Sequence, residues 1–228
     1  MKLLCIETAT EACSAALYID GEVRHTSQLA PRRHAELILG MCGQLLDEAG
    51  LATTELDGIG FGRGPGAFTG VRIATGVVQG LAWASDLPVV PVSSLAALAQ
   101  GAYRQHLARY CLAAIDARMN EVYAGAFVIN EDGIATIIGE ERVCAPDKLV
   151  LPGVGDNWFG SGSGWQTHEA PLHALCAAWL DGYVADSYPD AYDVAVLAAH
   201  AFEAGQYVDA AHALPVYLRD NVAAKKAR

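Results

Sequence analysis

The alternation of hydrophobic and polar positions at the start of the chain predicts three antiparallel strands. Residues 3–7 form an apolar run that ends on Glu7, and residues 14–19 follow as a second strand. The Asp20-Gly21 pair that comes next is a typical two-residue hairpin turn. Residues 22–29 are therefore predicted to return beside the second strand as a third one.

After the third strand, the spacing of apolar residues changes to that of helices. Residues 34–49 are predicted as a helix that ends at Gly50, because glycine readily takes the left-handed conformation found just past helix C-termini. A strand over residues 56–61 leads into a glycine-rich loop and a second helix that runs to Ser85. A strand over residues 89–92 completes a β-β-β-α-β-α unit.

The second half of the chain begins with the same pattern. Residues 110–116 form an apolar strand that again ends on an acid, Asp116. Residues 121–129 and 134–143 are predicted as the next two strands, joined by an Asp-Gly turn. The first half and the second half therefore look like two copies of one unit.

The second copy is less regular after Val143, where prolines and glycines interrupt the pattern. Helices are predicted over residues 174–180 and 191–204. The Gly-Ser run at residues 160–164 is either a flexible linker or a loop over a cleft, and flanking aromatic residues favour the loop.

Such a duplication predicts an α/β fold with two ribonuclease-H-like lobes, as in the group of actin, the heat-shock ATPases and the sugar kinases. The second copy would be degenerate. We expect the first lobe, with any partner-binding helices, to span residues 1–105 and the second lobe to span residues 106–228. In that group the acids that close the first strand of each lobe face the cleft between the lobes. Glu7 and Asp116 are therefore candidate cleft acids, either for proton transfer and metal-phosphate binding or as caps of backbone N–H groups.

Composition and charge limit the classes of partner. The formal net charge of −11 argues against binding of nucleic acid by this chain alone. Only the tail is locally basic, with Arg219, Lys225, Lys226 and Arg228. No apolar stretch reaches the roughly 20 residues of a membrane helix, so no membrane contact is expected. The six cysteines are scattered without CxxC pairs, which is typical of reduced thiols in a cytoplasmic protein.

The glycine-rich loop is the most distinctive motif of the chain. Its residues that matter most are Gly62, Gly64, Pro65, Gly66, Thr69, Gly70 and Arg72. The junction of such a loop with a helix N-terminus could bind an anion, whereas the alternative is a tight turn needed for packing. No Lys-Ser/Thr pair follows the last glycine as in a P-loop, and the match to a dinucleotide fingerprint is weak.

Four segments together resemble one bacterial family over essentially the whole chain. They are residues 6–10, Arg33-His34, residues 64–72 with their Phe-Thr-Gly-Val-Arg ending, and residues 215–219. The chain is similar to the TsaB (YeaZ) family, the non-catalytic paralogues of the threonylcarbamoyl transferase TsaD. This resemblance implies a role in making N6-threonylcarbamoyladenosine (t6A) in tRNA, with a TsaD-like transferase and a TsaE-like ATPase as partners. It also implies that tRNA is reached only through the complex.

The residues themselves argue against catalysis by this chain. The transferase family binds its metal through a His-x-x-x-His pair, whereas the corresponding residues here, 92–97, contain no histidine. The Asp-x-Gly-Thr phosphate motif of the wider group is replaced by Glu7-Thr8-Ala9-Thr10, which has no glycine. We therefore expect no catalytic residue, no metal site and no cofactor. The alternative functions are a kinase-like nucleotide-binding enzyme and a peptidase-type hydrolase.

The helix after the glycine loop predicts a protein partner. It is apolar or small nearly all the way round, which is typical of a helix covered on more than one side. Its small residues recur every four positions in two ladders, Gly66, Gly70 and Ala74, then Gly76, Gly80 and Ala84.

The residues predicted to contact the partner lie on the first two helices. They are Leu37, Met41, Leu45, Ala74, Val77, Gly80 and Leu81. In the family resembled, these helices dock on TsaD. Two alternatives remain at this point, namely that the C-terminal lobe covers the helices or that the chain closes a symmetric homodimer.

Overall fold

The computed structural model describes residues 1–153 and 157–219, and it contains two five-stranded sheets. Of the predicted basic tail, Arg219 is described, whereas Lys225, Lys226 and Arg228 lie outside the described residues. The first sheet is built from β1 (Lys2–Glu7), β2 (Ala12–Ile19), β3 (Glu22–Leu29), β4 (Gly58–Gly62) and β5 (Val89–Val92). Its order is β3-β2-β1-β4-β5. The three helices that accompany these strands are α1 (His34–Ala49), α2 (Phe68–Ser85) and α3 (Ser94–His106).

The second sheet repeats the first in composition and order. It contains β6 (Tyr110–Asp116), β7 (Val122–Ile129), β8 (Ala135–Cys144), β9 (Trp158–Ser161) and β10 (Leu180–Val184). Its order, β8-β7-β6-β9-β10, is that of the first sheet with each strand replaced by its repeat. The helices of this half are α4 (Ser163–Thr167), α5 (Glu169–Cys176) and α6 (Ala191–Glu203). The predicted duplication and the two-lobed α/β fold are thus confirmed.

The structure corrects two details of the second half. The run at residues 160–164 is neither a linker nor a loop over the cleft, because it ends β9 and begins α4. The helix predicted over residues 174–180 ends at Cys176, and Leu180 already belongs to β10. Between β8 and β9, the described residues form only a short 3-10 turn at Pro146–Lys148, where the first copy has α1. This is where the second copy is degenerate.

One helix from each lobe packs against the sheet of the other lobe. Helix α3 follows the first sheet in sequence but packs against β6, β7 and β8 of the second. Helix α6 follows the second sheet but packs against β1, β2 and β4 of the first, and the two helices contact each other. The layers are therefore α1 and α2, the first sheet, α3 with α6, the second sheet, and α4 with α5. The division at residue 105 stays a prediction.

Strand β1 shows how the sequence sets these layers. All its residues from Leu3 to Glu7 are fully buried, as expected for a central strand covered on both faces. Leu4 and Ile6 belong to the core under α1 and α2, whereas Leu3 and Cys5 belong to the core around α3 and α6. In the part of the chain that the structure describes, no helix is both long and apolar enough to span a bilayer.

Candidate functional site

A cleft of about 590 Å³ lies between the two lobes. The glycine loop and Ala9 to Glu11 form one wall, and Asp116, Arg118 and Tyr123 of the second lobe form the opposite wall. The C-terminal segment, residues 215–219, also lines the cleft through Val216 to Arg219. Both lobes and the C-terminal segment therefore contribute to the walls of this cleft.

The C-terminal segment connects the two lobes beside the cleft. The backbone N–H of Val216 donates to the carbonyl oxygen of Arg63 in the first lobe at 2.8 Å. At its other end Arg219 forms an ion pair with Glu121, next to β7 of the second lobe. The segment therefore spans the cleft and is fixed on both sides.

The glycines of the loop make room for the chain's own backbone. A Cβ atom at Gly66 would lie 2.3 Å from the carbonyl oxygen of Ala9, and one at Gly70 would lie 2.1 Å from that of Thr8. Two hydrogen bonds hold this contact, from Ala67 N–H to Ala9 at 2.7 Å and from the Thr8 hydroxyl to the Gly70 carbonyl at 2.8 Å. Of the two interpretations of the motif, the geometry favours packing over anion binding.

The remaining loop residues differ in their surroundings. Gly64 has a positive φ of 91°, which favours glycine, and it precedes Pro65, which is buried. Arg63 lies 3.6 Å from the carboxylate of Glu141 on β8, so its charge is directed to the second lobe. Thr69 is exposed at the first turn of α2.

Arg72 belongs to an exposed aromatic cluster on α2. Its guanidinium lies 3.7 Å from the ring centre of Phe68, and its Nε donates to the hydroxyl of Tyr217 at 2.8 Å. Tyr217 lies in the C-terminal segment. The end of the glycine motif therefore attaches that segment to the first lobe.

Glu7 does not face the cleft, which corrects the prediction. Its side chain is fully buried, and it accepts hydrogen bonds from Ala9 N–H at 2.6 Å and from the Ser94 hydroxyl at 2.7 Å. Burial raises its pKa to about 7, against the lowering effect of these hydrogen bonds. The buried Glu7 side chain also explains why the first residue of the motif, Gly62, is a glycine. A Cβ atom at this position would lie 1.8 Å from a Glu7 carboxylate oxygen.

Asp116 does line the cleft, as predicted. Its carboxylate accepts from the backbone N–H of Arg118 at 2.9 Å and lies 3.2 Å from the guanidinium of the same residue. Nε2 of His168 lies 3.7 Å from an oxygen of the same carboxylate. Because Glu7 is buried elsewhere, the structure does not bring the two candidate acids together in one site.

The predicted partner surface is partly exposed and partly core. Met41, Leu45 and Ala74 are buried under the first sheet, so they cannot be reached by another molecule without unfolding. Leu37, Val77 and Leu81 are half-buried. Gly80 is exposed. The periodic pattern could not separate these groups, because both faces of the two helices are apolar.

The two small-residue ladders of α2 face different neighbours. In the first ladder, Gly70 and Ala74 are buried. Gly66 and Gly70 lie against the backbone that follows β1, as described above. Gly76, Gly80 and Ala84 are exposed instead. Only the second ladder lies on the surface.

The residues predicted to contact the partner did not include two large exposed side chains of this surface. Leu39 on α1 is 54% exposed and Trp83 on α2 is 78% exposed, which is unusual for side chains of this size. Trp83 follows Gly76 and Gly80 at helical spacing and so lies on the same face of α2. That spacing is the signal that could have identified it.

Comparisons with known proteins decide the family. The family model of TsaD, the tRNA N6-adenosine threonylcarbamoyltransferase, matches residues 25–227. The "tRNA threonylcarbamoyladenosine biosynthesis protein TsaB" of Escherichia coli (strain K12) is 42% identical over 228 residues, which cover 99% of this chain and 98% of that protein. The chain belongs to the TsaB (YeaZ) family. The TsaB protein of Haemophilus influenzae (strain ATCC 51907 / DSM 11121 / KW20 / Rd) is 39% identical over 235 residues, with 99% and 97% coverage.

A solved structure shows the same TsaB fold. YeaZ from Pseudomonas aeruginosa superimposes with a TM-score of 0.87 at 45% identity, and the match covers 95% of this chain and 99% of that one. The predicted family and fold are confirmed together.

Proposed function

We propose that this TsaB-family chain is a non-catalytic subunit in the synthesis of t6A in tRNA. It binds and activates a TsaD-like transferase, a TsaE-like ATPase joins the pair, and tRNA is bound only through the complex. This t6A synthesis takes place in the cytoplasm. The names of the relatives, which place them in tRNA threonylcarbamoyladenosine biosynthesis, support the pathway.

The helix glycines of the first lobe carry the partner-binding part of the proposal. Gly40 and Gly43 lie inside α1, and Gly76 and Gly80 lie inside α2. Apart from the neighbouring backbone of its own helix, a Cβ atom at any of the four would meet no described atom within 4 Å. Each glycine costs a helix about 1 kcal/mol relative to alanine. The isolated fold gives no reason for them, whereas a second helix packed closely on this surface would.

Two serines support the absence of catalysis. They lie in the region equivalent to the transferase metal site. The hydroxyl of Ser93 caps α3 by accepting from the backbone N–H groups of Leu95 and Ala96. Ser94 is fully buried and bonded to Glu7. These side chains stabilise the helix end and the buried acid, which is a structural role.

Association with the transferase tests the proposal. Gly80→Arg places an uncompensated charge in the proposed interface, so the purified variant should no longer co-elute with a TsaD-like transferase on size exclusion. The control is Ala174→Arg, an exposed position on α5 of the second lobe, which should co-elute as wild type does. Both variants should stay folded, and Gly80→Arg should melt no lower than wild type, because arginine forms helices better than glycine.

Activity gives a second, separate test. A mixture of the TsaD-like and TsaE-like proteins, threonylcarbamoyl-adenylate and unmodified tRNA should transfer the threonylcarbamoyl group only when this chain is added. Gly80→Arg should fail to support transfer. Equal transfer with and without the chain would refute the proposed function.

A further inference from the structure

A second concave surface lies at the C-terminal end of α2, away from the interlobe cleft. This groove has a volume of about 510 Å³, and its walls come from the end of α2 and from residues 207–211. Two aromatic side chains form its apolar walls, Trp83, which is 78% exposed, and Tyr207, which is 49% exposed. Leu87 and Pro88 complete the apolar lining.

The groove is fixed to the rigid part of the first lobe. Val208 exchanges two backbone hydrogen bonds with Val89 on β5, at 2.8 and 2.9 Å. The ring of Tyr207 lies 5.1 Å from that of Phe202 on α6. The groove walls are therefore held in place by the sheet and by α6 without help from any ligand.

The charges in the groove are all of one sign. Asp86 and Asp209 line it, and none of its described lining residues is lysine or arginine. Asp86 is the residue that ends α2, and the last turn of α2 contains no basic residue. An acid at the negative end of an 18-residue helix is unfavourable, because helix C-termini stabilise cations. Asp209 already has a partner, because Nδ1 of His212 lies 2.7 Å from its carboxylate. Among the described residues, Asp86 forms no ion pair, so the groove is suited to a positive charge beside Asp86.

The charge and the aromatic walls together specify the chemistry of an occupant. A guanidinium can stack on Trp83 or Tyr207 and at the same time pair with Asp86. Neighbouring apolar side chains of the same segment would cover the rest of the walls. A second copy of this chain fits poorly, because each copy carries a net charge of −11.

We propose that the groove receives an arginine-bearing, otherwise apolar segment of the TsaD-like transferase. This rests on the proposed function, because Trp83 lies on the same face of α2 as Gly76 and Gly80. The partner that packs on those glycines then extends past Trp83 into the groove. The helix face would provide close packing, and the groove would provide charge recognition.

Binding measurements with the purified TsaD-like transferase test the groove. Trp83→Ala should weaken the affinity about tenfold, as truncation of a buried interface aromatic does. The variant Asp86→Asn keeps the shape, and asparagine tolerates the left-handed backbone of this position. It should also weaken binding, and its affinity should depend less on salt than that of wild type.

Trp179→Ala is the matched control, since Trp179 is 47% exposed on the second lobe and should be irrelevant to binding. If the groove variants bind as wild type while Gly80→Arg does not, the groove proposal is wrong and the proposed function stands. If Gly80→Arg also binds normally, the helix interface itself is wrong. If Trp83→Ala weakens binding but Asp86→Asn shows the salt dependence of wild type, the proposed arginine is refuted.

Discussion

The hydroxyl of Ser94 donates a hydrogen bond of 2.7 Å to the carboxylate of Glu7 and so joins the first residue of α3 to the last residue of β1. The strand belongs to the first sheet, whereas α3 packs on the second. This buried contact therefore attaches the helix that covers the second sheet to the central strand of the first sheet. It also places a titratable group where solvent does not reach it.

Stability should fall with rising pH because of Glu7. Its folded pKa is about 7, above the ordinary value of 4.5, so the folded protein holds the proton more tightly than the unfolded chain. Protonated Glu7 contributes about 3 kcal/mol to the free energy of unfolding. This contribution is fully present below about pH 4.5 and is lost as the pH rises to about 7.

The measurement is the free energy of unfolding in urea at several pH values for wild type and Glu7→Gln. Glutamine resembles the protonated acid, since it can accept from Ala9 and donate to Ser94. The stability of wild type should decline relative to the variant over this pH range. Parallel curves would show that Glu7 has an ordinary pKa.

Two glycines of α2 should respond oppositely to the same substitution. Gly70→Ala should destabilise the fold by about 2 kcal/mol or more, because the new methyl group would overlap the Thr8 carbonyl. Gly80→Ala should stabilise the isolated chain by up to about 1 kcal/mol, because the methyl group meets nothing. Thermal melts of the two variants measure both effects. Equal destabilisation by the two substitutions would contradict the assignment of the two ladders.

The ion pair between Arg219 and Glu121 should hold the C-terminal segment across the cleft. In Arg219→Ala the segment loses its attachment to the second lobe, so the amide of Val216 should exchange its hydrogen faster. The control is Arg142→Ala, which removes an exposed pair with Glu140. Amides of β1 should be unaffected in both variants, and unchanged exchange at Val216 would show that the ion pair does not anchor the segment.

The candidate cleft acids should matter little for the chemistry of the complex. In the reconstituted reaction, Asp116→Asn and Glu7→Gln should stay within about threefold of the wild-type rate, whereas loss of a general acid or base costs roughly 10²–10⁴-fold. The assay is threonylcarbamoyl incorporation into unmodified tRNA. A collapse in rate with the complex still assembled would give this cleft a chemical role and refute the non-catalytic proposal.

Much of the fold could be predicted from the sequence because strand patterns are local. The apolar run that ends on Glu7 and its repeat that ends on Asp116 indicated the duplication, and the Asp-Gly turns set the hairpins. The glycine loop identified the family because its motif is long and specific. The helix over residues 174–180 was misplaced, because a short apolar stretch fits a helix and a strand almost equally well.

What the sequence determined by itself was which elements form and in which order, because side-chain periodicity depends only on the backbone of each element. Tertiary structure alone decided what covers each face. It placed α3 on the opposite sheet, buried Met41, Leu45 and Ala74, removed Glu7 from the cleft, and left Gly80 and Trp83 on the surface. The physical reason is that α2 is apolar on both faces, so its pattern cannot show whether a sheet of the same chain or a second protein covers it.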